Sequence, residues 1–234
     1  MGRRGPAPQM KVSTDWSPEL AYAIGLIATD GNLSIDGRHI NFTSKDKDLV
    51  ETFRRCLRID NIIGTKSRGG SSLKQYFQVQ FGDVHFYRWL LSVGLMPRKS
   101  LLLGPLAIPD HLFFDFLRGC FDGDGTIYAY WDPRWQSSYM IYINFVSASR
   151  NYLLWLQSII LRLAGTKGHF KPGKRSLILA FAKRDTYVLF SKMFYKEKLP
   201  CLQRKFVKAK IFFEIDRTHN ETSARVSELV DDQG

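Results

Sequence analysis

One nine-residue segment occurs twice in this chain, and the repetition constrains the fold more than any other feature. The first copy, Ala23–Gly31, reads AIGLIATDG; the second, Leu117–Gly125, reads LRGCFDGDG and lies 94 positions later. Each copy is an apolar helical stretch with a glycine near its middle and an Asp-Gly pair at its end. Two such helices at half-domain spacing predict pairing about a pseudo-twofold axis, which would bring Asp30 and Asp124 together.

The flanking residues predict where the two helices begin and end. Ser17 is a favourable N-cap residue, and Pro18 suits the first helical position. The second helix is expected to start near Asp110. Gly31 and Gly125 are expected to follow their helices in left-handed backbone, so each helix is predicted to end at its aspartate.

Small residues predict a close approach of the two helices. Gly25 and Gly119 occupy matching positions in the two copies, and Ala21 and Ala28 share a helix face with Gly25. A stripe of small residues is also typical of ordinary core packing. A functional interpretation of the helix pair therefore depends on its two carboxylates.

Asp30 and Asp124 are unfavourable for stability unless something binds them. An acid at the C-terminal end of a helix opposes the helix dipole, and two neighbouring acids repel each other. A divalent cation removes both penalties, and Mg²⁺ accepts carboxylates, backbone carbonyls, waters and phosphate oxygens as ligands. A single Asp-Gly pair is better explained as a common turn, but two pairs in register favour a metal site.

On these residues the chain resembles the single-chain, two-repeat homing endonucleases of the LAGLIDADG family. The second copy matches the family motif at Leu117, Gly119, Asp122, Asp124 and Gly125, and the first matches it at Gly25, Leu26, Ile27, Asp30 and Gly31. The first copy departs from the motif at Ala23, where the family usually has Leu, and at Ala28, where it usually has the earlier Asp. That earlier Asp is chiefly structural in the family, so the acid that binds metal is retained.

The segments between the helices also repeat in order. Asn41–Ser44 corresponds to Asn144–Ser147, Gly64–Lys66 to Gly165–Lys167, and Leu95–Lys99 to Pro200–Lys205. The resemblance therefore extends over roughly residues 16–210.

The predicted fold class is α/β (α+β), with two homing-endonuclease-like half-domains that each carry a curved, mainly antiparallel sheet and that pack through the two repeated helices. Each half is expected to run helix, strand pair, helix, strand pair, helix. In the first half the predicted elements are a strand at 39–44, a helix at 46–57, a hairpin at 65–81 turning at Gly69-Gly70 and a helix at 84–93. In the second half they are strands at 126–130 and 138–147, a helix at 151–164, a hairpin near Pro172-Gly173 and a helix at 185–195. The predicted domains are a basic N-terminal arm (1–15), the two half-domains (16–104 and 105–216) and a mobile C-terminal tail (217–234).

Composition narrows the class of partner. The chain has 34 Lys and Arg against 22 Asp and Glu, a net charge of +12, which favours nucleic acid or an acidic membrane surface over a neutral small molecule. Its three cysteines are too scattered for a disulfide framework, and its five histidines lack zinc-ligand spacing. Because the sequence has no signal-peptide core and no long apolar run, we expect a soluble, intracellular protein that is associated with genomic or organellar DNA and is not secreted.

The predicted hairpins carry candidate DNA contacts. In Lys74–Gln80 one parity of side chains is polar or amphipathic, and a two-stranded ribbon fits the major groove. Basic residues near the hairpins suit phosphates, although the same pattern also fits the solvated face of a sheet. The candidates are Lys66, Arg68, Lys74, Tyr76, Gln78, Gln80, Arg134, Tyr139, Asn144, Lys167, Lys171, Lys174 and Arg175.

The resemblance implies site-specific hydrolysis of both strands of a long, asymmetric double-stranded DNA target, across the minor groove. It implies catalytic and metal-binding roles for Asp30 and Asp124, with additional metal ligands from the backbone at Thr29 and Gly123. It also implies that Lys99 and Lys205, each preceded by an arginine, are catalytic. The expected cofactor is Mg²⁺, with Mn²⁺ or Ca²⁺ as substitutes and Ca²⁺ supporting binding without turnover.

Three further residues are predicted to assist at the active site by ordering water. Ser44 and Lys45 stand where several relatives have a polar residue with this role, and Ser147 is the counterpart of Ser44. The counterpart of Lys45 is Ala148, so a symmetric role for a lysine fails at this position.

Two alternatives remain at the level of sequence. A nuclease-dead relative can keep the basic surface and act as an intron-splicing RNA cofactor or as a DNA-binding regulator, although here both acids and both lysines are present. An intein is disfavoured because His219-Asn220 is followed by Glu221 and not by Cys, Ser or Thr. We therefore expect an intron-encoded or free-standing monomer with no membrane and no obligate protein partner; host intron RNA is a conceivable partner that no residue indicates.

Overall fold

Two successive runs of helices and strands make up the part of the chain that the structure, a computed structural model, describes: residues 10–68, 71–135 and 138–231. The first run is α1 (Pro18–Asp30), β1 (Gly31–Leu33), β2 (His39–Ser44), α2 (Lys47–Cys56), β3 (Ile63–Arg68), β4 (Ser71–Gly82) and α3 (Val84–Val93). The second is α4 (Phe113–Asp122), β5 (Thr126–Trp131), β6 (Tyr139–Ser147), α5 (Arg150–Ala164), β7 (His169–Gly173), β8 (Ser176–Phe181), α6 (Lys183–Met193) and α7 (Gln203–Asp231). The strands and helices predicted in each half are thus confirmed. The turn predicted at Gly69-Gly70 lies outside the described residues.

Each half contains a four-stranded antiparallel sheet. The strand order is β1-β2-β4-β3 in the first sheet and β5-β6-β8-β7 in the second. Asn32 lies opposite Asn41, and Thr126, which matches Asn32 in the repeat, lies opposite Asn144, so the strands that follow the two Asp-Gly pairs have the same register. The predicted fold class and the correspondence of Asn41–Ser44 with Asn144–Ser147 are confirmed.

The repeated helices pack directly against each other through their glycines. A Cβ atom placed on Gly25 would lie 2.2 Å from the carbonyl oxygen of Phe116, and one placed on Gly119 would lie 2.1 Å from that of Tyr22. No side chain fits at either position, because real Cβ atoms do not approach other atoms so closely. The predicted close approach of α1 and α4 is therefore confirmed.

The starts of the helices agree with the sequence better than their ends do. Ser17 caps α1 by accepting a hydrogen bond from Leu20 N at 3.1 Å, and Asp110 begins a short 3-10 turn ahead of α4. Whereas α1 ends at Asp30 as predicted, α4 ends at Asp122, so the prediction that the second helix ends at Asp124 is wrong.

The prediction of left-handed glycines at the helix ends is also wrong. Gly31 has φ −78° and ψ 158°, and Gly125 has no positive φ. Glycine is required there for a different reason, since the chain turns back tightly over the last helical turn. A Cβ atom on Gly31 would lie 2.6 Å from Ile27 Cα, and one on Gly125 would lie 2.5 Å from Phe121 Cα.

One predicted repeat correspondence is wrong. Gly64–Lys66 lies within β3, whereas Gly165 ends α5 in left-handed backbone with φ 69° and Thr166 and Lys167 precede β7. The strand register instead matches Thr65 with Pro172, because Thr65 lies opposite Phe77 in the first sheet and Pro172 lies opposite Leu177 in the second. The shared letters thus belong to a strand in one half and to a helix exit in the other.

Helix α7 continues through residues 217–231, for which the sequence predicted a mobile tail. Asp216 anchors it to α6, because its carboxylate accepts from the Tyr187 hydroxyl at 2.9 Å and pairs with Lys183 at 2.6 Å. The ring of His219 contacts that of Trp131 in β5, with centroids 4.8 Å apart. In the described ranges, no helix combines the length and apolar character needed to cross a bilayer.

Candidate active site

The ends of the two repeated helices meet. A Cβ atom placed on Gly123 would lie 2.0 Å from Thr29 Oγ1 and 3.1 Å from Asp30 Oδ2, so the backbone after α4 touches the last residues of α1. Asp30 and Asp124 are both exposed there. The structure therefore brings the two predicted acids to one place.

Lys99 and Lys205 lie in the same region but point into the protein. Each is only 8% exposed. Lys99 Nζ donates to the carbonyl oxygens of Thr29 at 3.0 Å and Gly31 at 2.6 Å. Lys205 Nζ donates at 2.6–3.0 Å to the carbonyl oxygens of Phe121, Asp122, Gly123 and Gly125. Each lysine therefore caps the C-terminal end of the repeated helix in its own half, where carbonyls lack helical partners and the dipole is negative.

The acids and lysines form one electrostatic cluster. Burial lowers the pKa of Lys205 to about 8, against the attraction of Asp122, Asp30 and Asp124. Burial also lowers the pKa of Lys99, opposed by Asp124 and Asp30. Desolvation on the protein side of Asp124 raises the pKa of its carboxyl group, while both lysines lower it. Each charge therefore depends on groups from both halves.

Asp122 lies beneath the two acids and accepts hydrogen bonds that link the two repeated helices. Its Oδ2 accepts from the Tyr22 hydroxyl at 2.8 Å and from Leu202 N at 2.7 Å, which ties α4 to α1 and to the segment before Lys205. Its Oδ1 is buried without a hydrogen-bond partner among the described residues, and burial raises the pKa of Asp122 to about 6. These contacts give Asp122 a structural position, and Ala28 occupies the matching place in the first half.

A cavity of about 590 Å³ opens beside the end of α1. Ser44 and Lys45, two of the predicted auxiliary residues, line it together with Asp30 and Lys99. The other lining residues include Asn32, Thr43, Asp46, Lys66, Tyr76, Arg98, Gly123 and Arg204. Lys45 is exposed, so its ammonium group is accessible from this cavity.

The two serines predicted as auxiliary residues have a local structural contact in common. Ser44 Oγ accepts from Asp46 N, and Ser147 Oγ accepts from Ser149 N, both at 3.1 Å. Each hydroxyl thus orders the turn into the following helix, α2 or α5. The auxiliary role remains a prediction for both serines.

Sequence reasoning missed an ion pair between the halves. Arg204 Nε and Nη2 donate to the two carboxylate oxygens of Asp46 at 2.8 and 2.7 Å. The Arg204 guanidinium lowers the pKa of Asp46. The position that matches Asp46 in the second half is Ser149, which instead donates to the carbonyl oxygen of Leu103. The ion pair is therefore a feature of one side of the site.

The predicted DNA contacts divide into accessible, buried and undescribed residues. Lys66, Tyr76, Gln78 and Gln80 share the open face of the first sheet, Lys171 lies on the open face of the second, and Arg134, Lys167, Lys174 and Arg175 are exposed near its edges. The side chains of Arg68 and Lys74 lie outside the described residues.

Two of the predicted contacts are corrected by burial. Tyr139 is 5% exposed and packs against Trp131 on the core side of β6, so the prediction that it contacts DNA is wrong. Asn144 lies on the open parity of β6 but is only 9% exposed, which removes it as an accessible contact. Tyrosine suits either side of a sheet, so its residue type alone did not settle the face.

The donor set at the helix ends fits Mg²⁺ in company with a phosphate. Within the described ranges, no group of three or more His, Cys, Asp and Glu residues is arranged to hold a metal ion. Two carboxylates and the carbonyls of Thr29 and Gly123 are present, and each carbonyl already accepts from a lysine at 3.0 Å. A carbonyl oxygen has two lone pairs, and Mg²⁺ commonly takes only one or two protein carboxylates alongside phosphate and water.

Comparisons with known proteins bear on the fold. Residues 17–88 match the family model of the LAGLIDADG-like domain. None of the curated proteins compared with the chain matches it.

Solved structures share the fold over most of the chain. The LAGLIDADG homing endonuclease I-LtrWI, solved bound to target DNA, superposes with a TM-score of 0.57 and 12% identity over 86% of this chain and 91% of its own. The meganuclease I-AabMI, bound to uncleaved DNA, gives 0.56 and 13% over 90% and 92%. The N-terminal LAGLIDADG domain of DUF199/WhiA gives 0.52 and 15% over 80% and 86%. Residues 17–88 thus match the LAGLIDADG-like domain, and the chain has the fold of the LAGLIDADG homing endonucleases.

Proposed function

We propose that this protein is a monomeric, Mg²⁺-dependent endonuclease that cuts both strands of a specific double-stranded DNA site. The observation that carries the proposal is the meeting of two helix ends, each with an exposed aspartate and a buried lysine from its own half. Two equivalent sets of groups suit two equivalent bonds, one in each DNA strand.

The metal would be held by Asp30 and Asp124, with the carbonyls of Thr29 and Gly123 as additional ligands. When bound, Mg²⁺ supplies electrophilic stabilisation of the scissile phosphate and activation of the attacking water. The two carboxylates bind and orient this centre from opposite helices. Because Asp30 ends α1 and Asp124 lies two residues beyond the end of α4, a bound cation also offsets their unfavourable position in the dipole field.

The lysines act on the same centre from the protein side. Lys99 and Lys205 hold the helix-end carbonyls in place and add positive charge beneath the position of the phosphate. Positive charge that is already ordered stabilises the negative charge that develops during phosphoryl transfer. Lys45 adds an accessible ammonium group beside Asp30, in the first half-domain only.

Recognition of DNA is assigned to the open faces of the two sheets, with the helix ends across the minor groove between them. Lys66, Gln78 and Gln80 combine a phosphate-binding charge with side chains that form hydrogen bonds to base edges. The solved endonucleases with this fold that are bound to DNA support this assignment. Because the two sheets have different sequences, the target is expected to be asymmetric.

The test is selection of cleavable sites from a randomised plasmid library with Mg²⁺. Asp30→Asn and Asp124→Asn remove one carboxylate charge each, and Asp60→Asn makes the same change at an exposed position away from the site. We expect cutting by the wild type and by Asp60→Asn, and binding without cutting by the double variant Asp30→Asn/Asp124→Asn. Undiminished cutting by that double variant would overturn the proposal.

A non-cleaving nucleic-acid-binding protein is the second candidate. It is favoured by one observation, namely that lysine ammonium groups already lie on the carbonyls of Thr29 and Gly123. The two candidates differ in a simple measurement. Tight, sequence-selective binding with intact strands in both Mg²⁺ and Mn²⁺ supports the second candidate, whereas linearised plasmid supports the first.

A further inference from the structure

The open face of the first sheet is uniformly polar. Asn32 lies opposite Asn41, which lies opposite Gln80, and Thr43 lies opposite Gln78. The Thr43 hydroxyl donates to Asn41 Oδ1 at 2.8 Å, so these groups also order one another. Such side chains recognise bases by hydrogen bonds, and Asn and Gln pair in particular with the N6 and N7 atoms of adenine.

The equivalent face of the second sheet is aromatic and apolar. Tyr128 lies opposite Tyr142 and Tyr130 opposite Met140, while Val146 lies opposite Ile178. The alternate residues of these strands face the core; Ile127, Ile141 and Ile143 are at most 3% exposed. Val146 and Ile178 stand at the positions that match Thr43 and Gln78 on the first sheet, whereas Thr126 and Asn144 remain polar at the positions that match Asn32 and Asn41.

Three tyrosines form an ordered surface on this face, which we call the tyrosine surface (Tyr128, Tyr130 and Tyr142). Their ring centroids are 5.3, 6.1 and 6.3 Å apart, and their planes agree within 11°. Tyr130 is 42% exposed. Rings that pack on each other lose little freedom on binding, and an accessible apolar surface of this kind indicates a contact site.

The charges beside the tyrosine surface favour DNA as its occupant. The ammonium group of Lys171 lies 4.5 Å from the centroid of Tyr142. The exposed guanidinium of Arg134 lies near Tyr130 and Tyr142 and is paired with Asp132 at 2.9 Å. An apolar centre with basic neighbours matches the major groove, where base edges lie between two rows of phosphates. The surface lies on the same face of the second sheet as Thr126 and Asn144, the counterparts of Asn32 and Asn41, and begins two residues farther along β5 from Asp124.

We infer that the second half-domain reads its half of the DNA target through apolar contact with the 5-methyl groups of thymine, whereas the first half-domain reads by hydrogen bonds. The inference rests on the proposed function. The thymine methyl is the apolar group that base pairs present in the major groove. Tyrosine rings with Met140, Val146 and Ile178 nearby offer apolar surface to it. The target should therefore be rich in thymine under the second sheet.

The experiment replaces thymine by deoxyuridine, which removes only the methyl group. Duplexes of the selected site carry the replacement in one half or in the other, and binding is measured by fluorescence anisotropy in EDTA, so that metal binding does not enter. Burial of one methyl group predicts a loss of about fourfold in affinity for each contacted thymine in the half-site under the second sheet. Replacement in the half-site under the first sheet should change affinity by less than about twofold on the same scale. Equal sensitivity of the two halves, or none in either, would overturn the inference.

Variants assign the effect to the tyrosine surface. Tyr142→Phe keeps the ring and should keep the sensitivity to deoxyuridine. Tyr142→Ala removes the ring and should abolish that sensitivity. Gln80→Ala, on the first sheet, is the control and should leave the sensitivity to deoxyuridine in place. Circular dichroism of each variant establishes that it is folded, and Tyr130→Ala serves as a second truncation at a more exposed position. If Tyr142→Ala instead disrupts a dimer in sedimentation experiments and leaves deoxyuridine sensitivity intact, the surface binds a second copy of the chain and the inference is wrong. Absence of any sequence-selective binding to the thymine duplexes would instead overturn the proposed function.

Discussion

The Tyr22 hydroxyl donates a 2.8 Å hydrogen bond to Asp122 Oδ2 across the interface between the two repeated helices. By the 94-residue offset of the repeat, the matching pair on the other side is Phe116 and Ala28. Both are buried, and both lack the polar group of their counterpart. Where Ala28 replaces the acid of the family motif, Phe116 also replaces the tyrosine whose hydroxyl would have bound that acid. The interface therefore contains one hydrogen-bonded polar pair and one apolar pair.

This arrangement predicts strong coupling between Tyr22 and Asp122. Tyr22→Phe leaves the buried carboxylate with one donor fewer and should lower the free energy of unfolding by about 1–3 kcal/mol. The double variant Tyr22→Phe/Asp122→Ala reproduces the pair on the other side, and it should cost less than the sum of the two single changes. Urea denaturation of the four proteins measures this difference, and strictly additive losses would contradict the coupling.

The raised pKa of Asp122 predicts a specific pH dependence of stability. Burial raises the pKa of this carboxyl group in the folded protein to about 6, from 3.8. The folded state therefore binds the proton more tightly than the unfolded state, so Asp122 favours folding increasingly as pH falls from about 6 towards 4, and this contribution is lost as pH rises through 6. Because other groups also titrate, the measured quantity is the difference between wild type and Asp122→Asn at several pH values. That difference should change between pH 4 and 6, and a difference that is constant over this range would contradict the prediction.

Lys205 is predicted to stabilise the fold as well as to serve the reaction. Lys205→Ala leaves four carbonyls at the end of α4 without their common donor, while Lys99→Ala leaves two without theirs at the end of α1. Truncation should cost about 1–3 kcal/mol in the free energy of unfolding at Lys205, and less at Lys99. Thermal unfolding at constant pH measures both. A Lys205→Ala protein as stable as the wild type would show that the cap is not energetically important.

The side chains around Asp30 and Asp124 are unequal, and this predicts unequal strand cleavage. Lys45 lines the cavity beside Asp30, and Ala148 stands at the matching position in the second half. Lys45→Ala should slow cleavage of one strand by about 10- to 100-fold and leave the other nearly unchanged, because it removes a positive charge from one side only. Supercoiled plasmid should then accumulate as a nicked form, and end-labelled duplexes identify the intact strand. Lys47→Ala, at an exposed position on α2, is the matched control.

Local patterns predicted most of the fold, and the errors occur where distant chain segments decide the structure. Ser17 caps its helix through a residue three positions away, so its role was readable from the sequence. In contrast, Lys99 and Lys205 were recognised as important, but the direction of their ammonium groups depends on helix ends about 70 and 80 residues distant. Gly31 was predicted for its backbone angles but is required by the path of the chain over Ile27. Arg204 and Asp46 lie 158 positions apart and carry no local signal at all.

The ion pair between Arg204 and Asp46 is predicted to position the site more than to stabilise the protein. Arg204 is about half exposed, so solvent screening limits the contribution of the pair to roughly 1 kcal/mol or less in the free energy of unfolding. Arg204 nevertheless precedes Lys205 directly and fixes it against the first half-domain through the N-terminus of α2. Arg204→Gln should therefore reduce the rate of cleavage while leaving the unfolding transition nearly unchanged. The exchanged pair Asp46→Arg/Arg204→Asp should recover part of that rate, because it restores the link between the halves with its polarity reversed. A loss of rate in Arg204→Gln that the exchanged pair does not relieve would mean that Arg204 acts on DNA directly and not through Asp46.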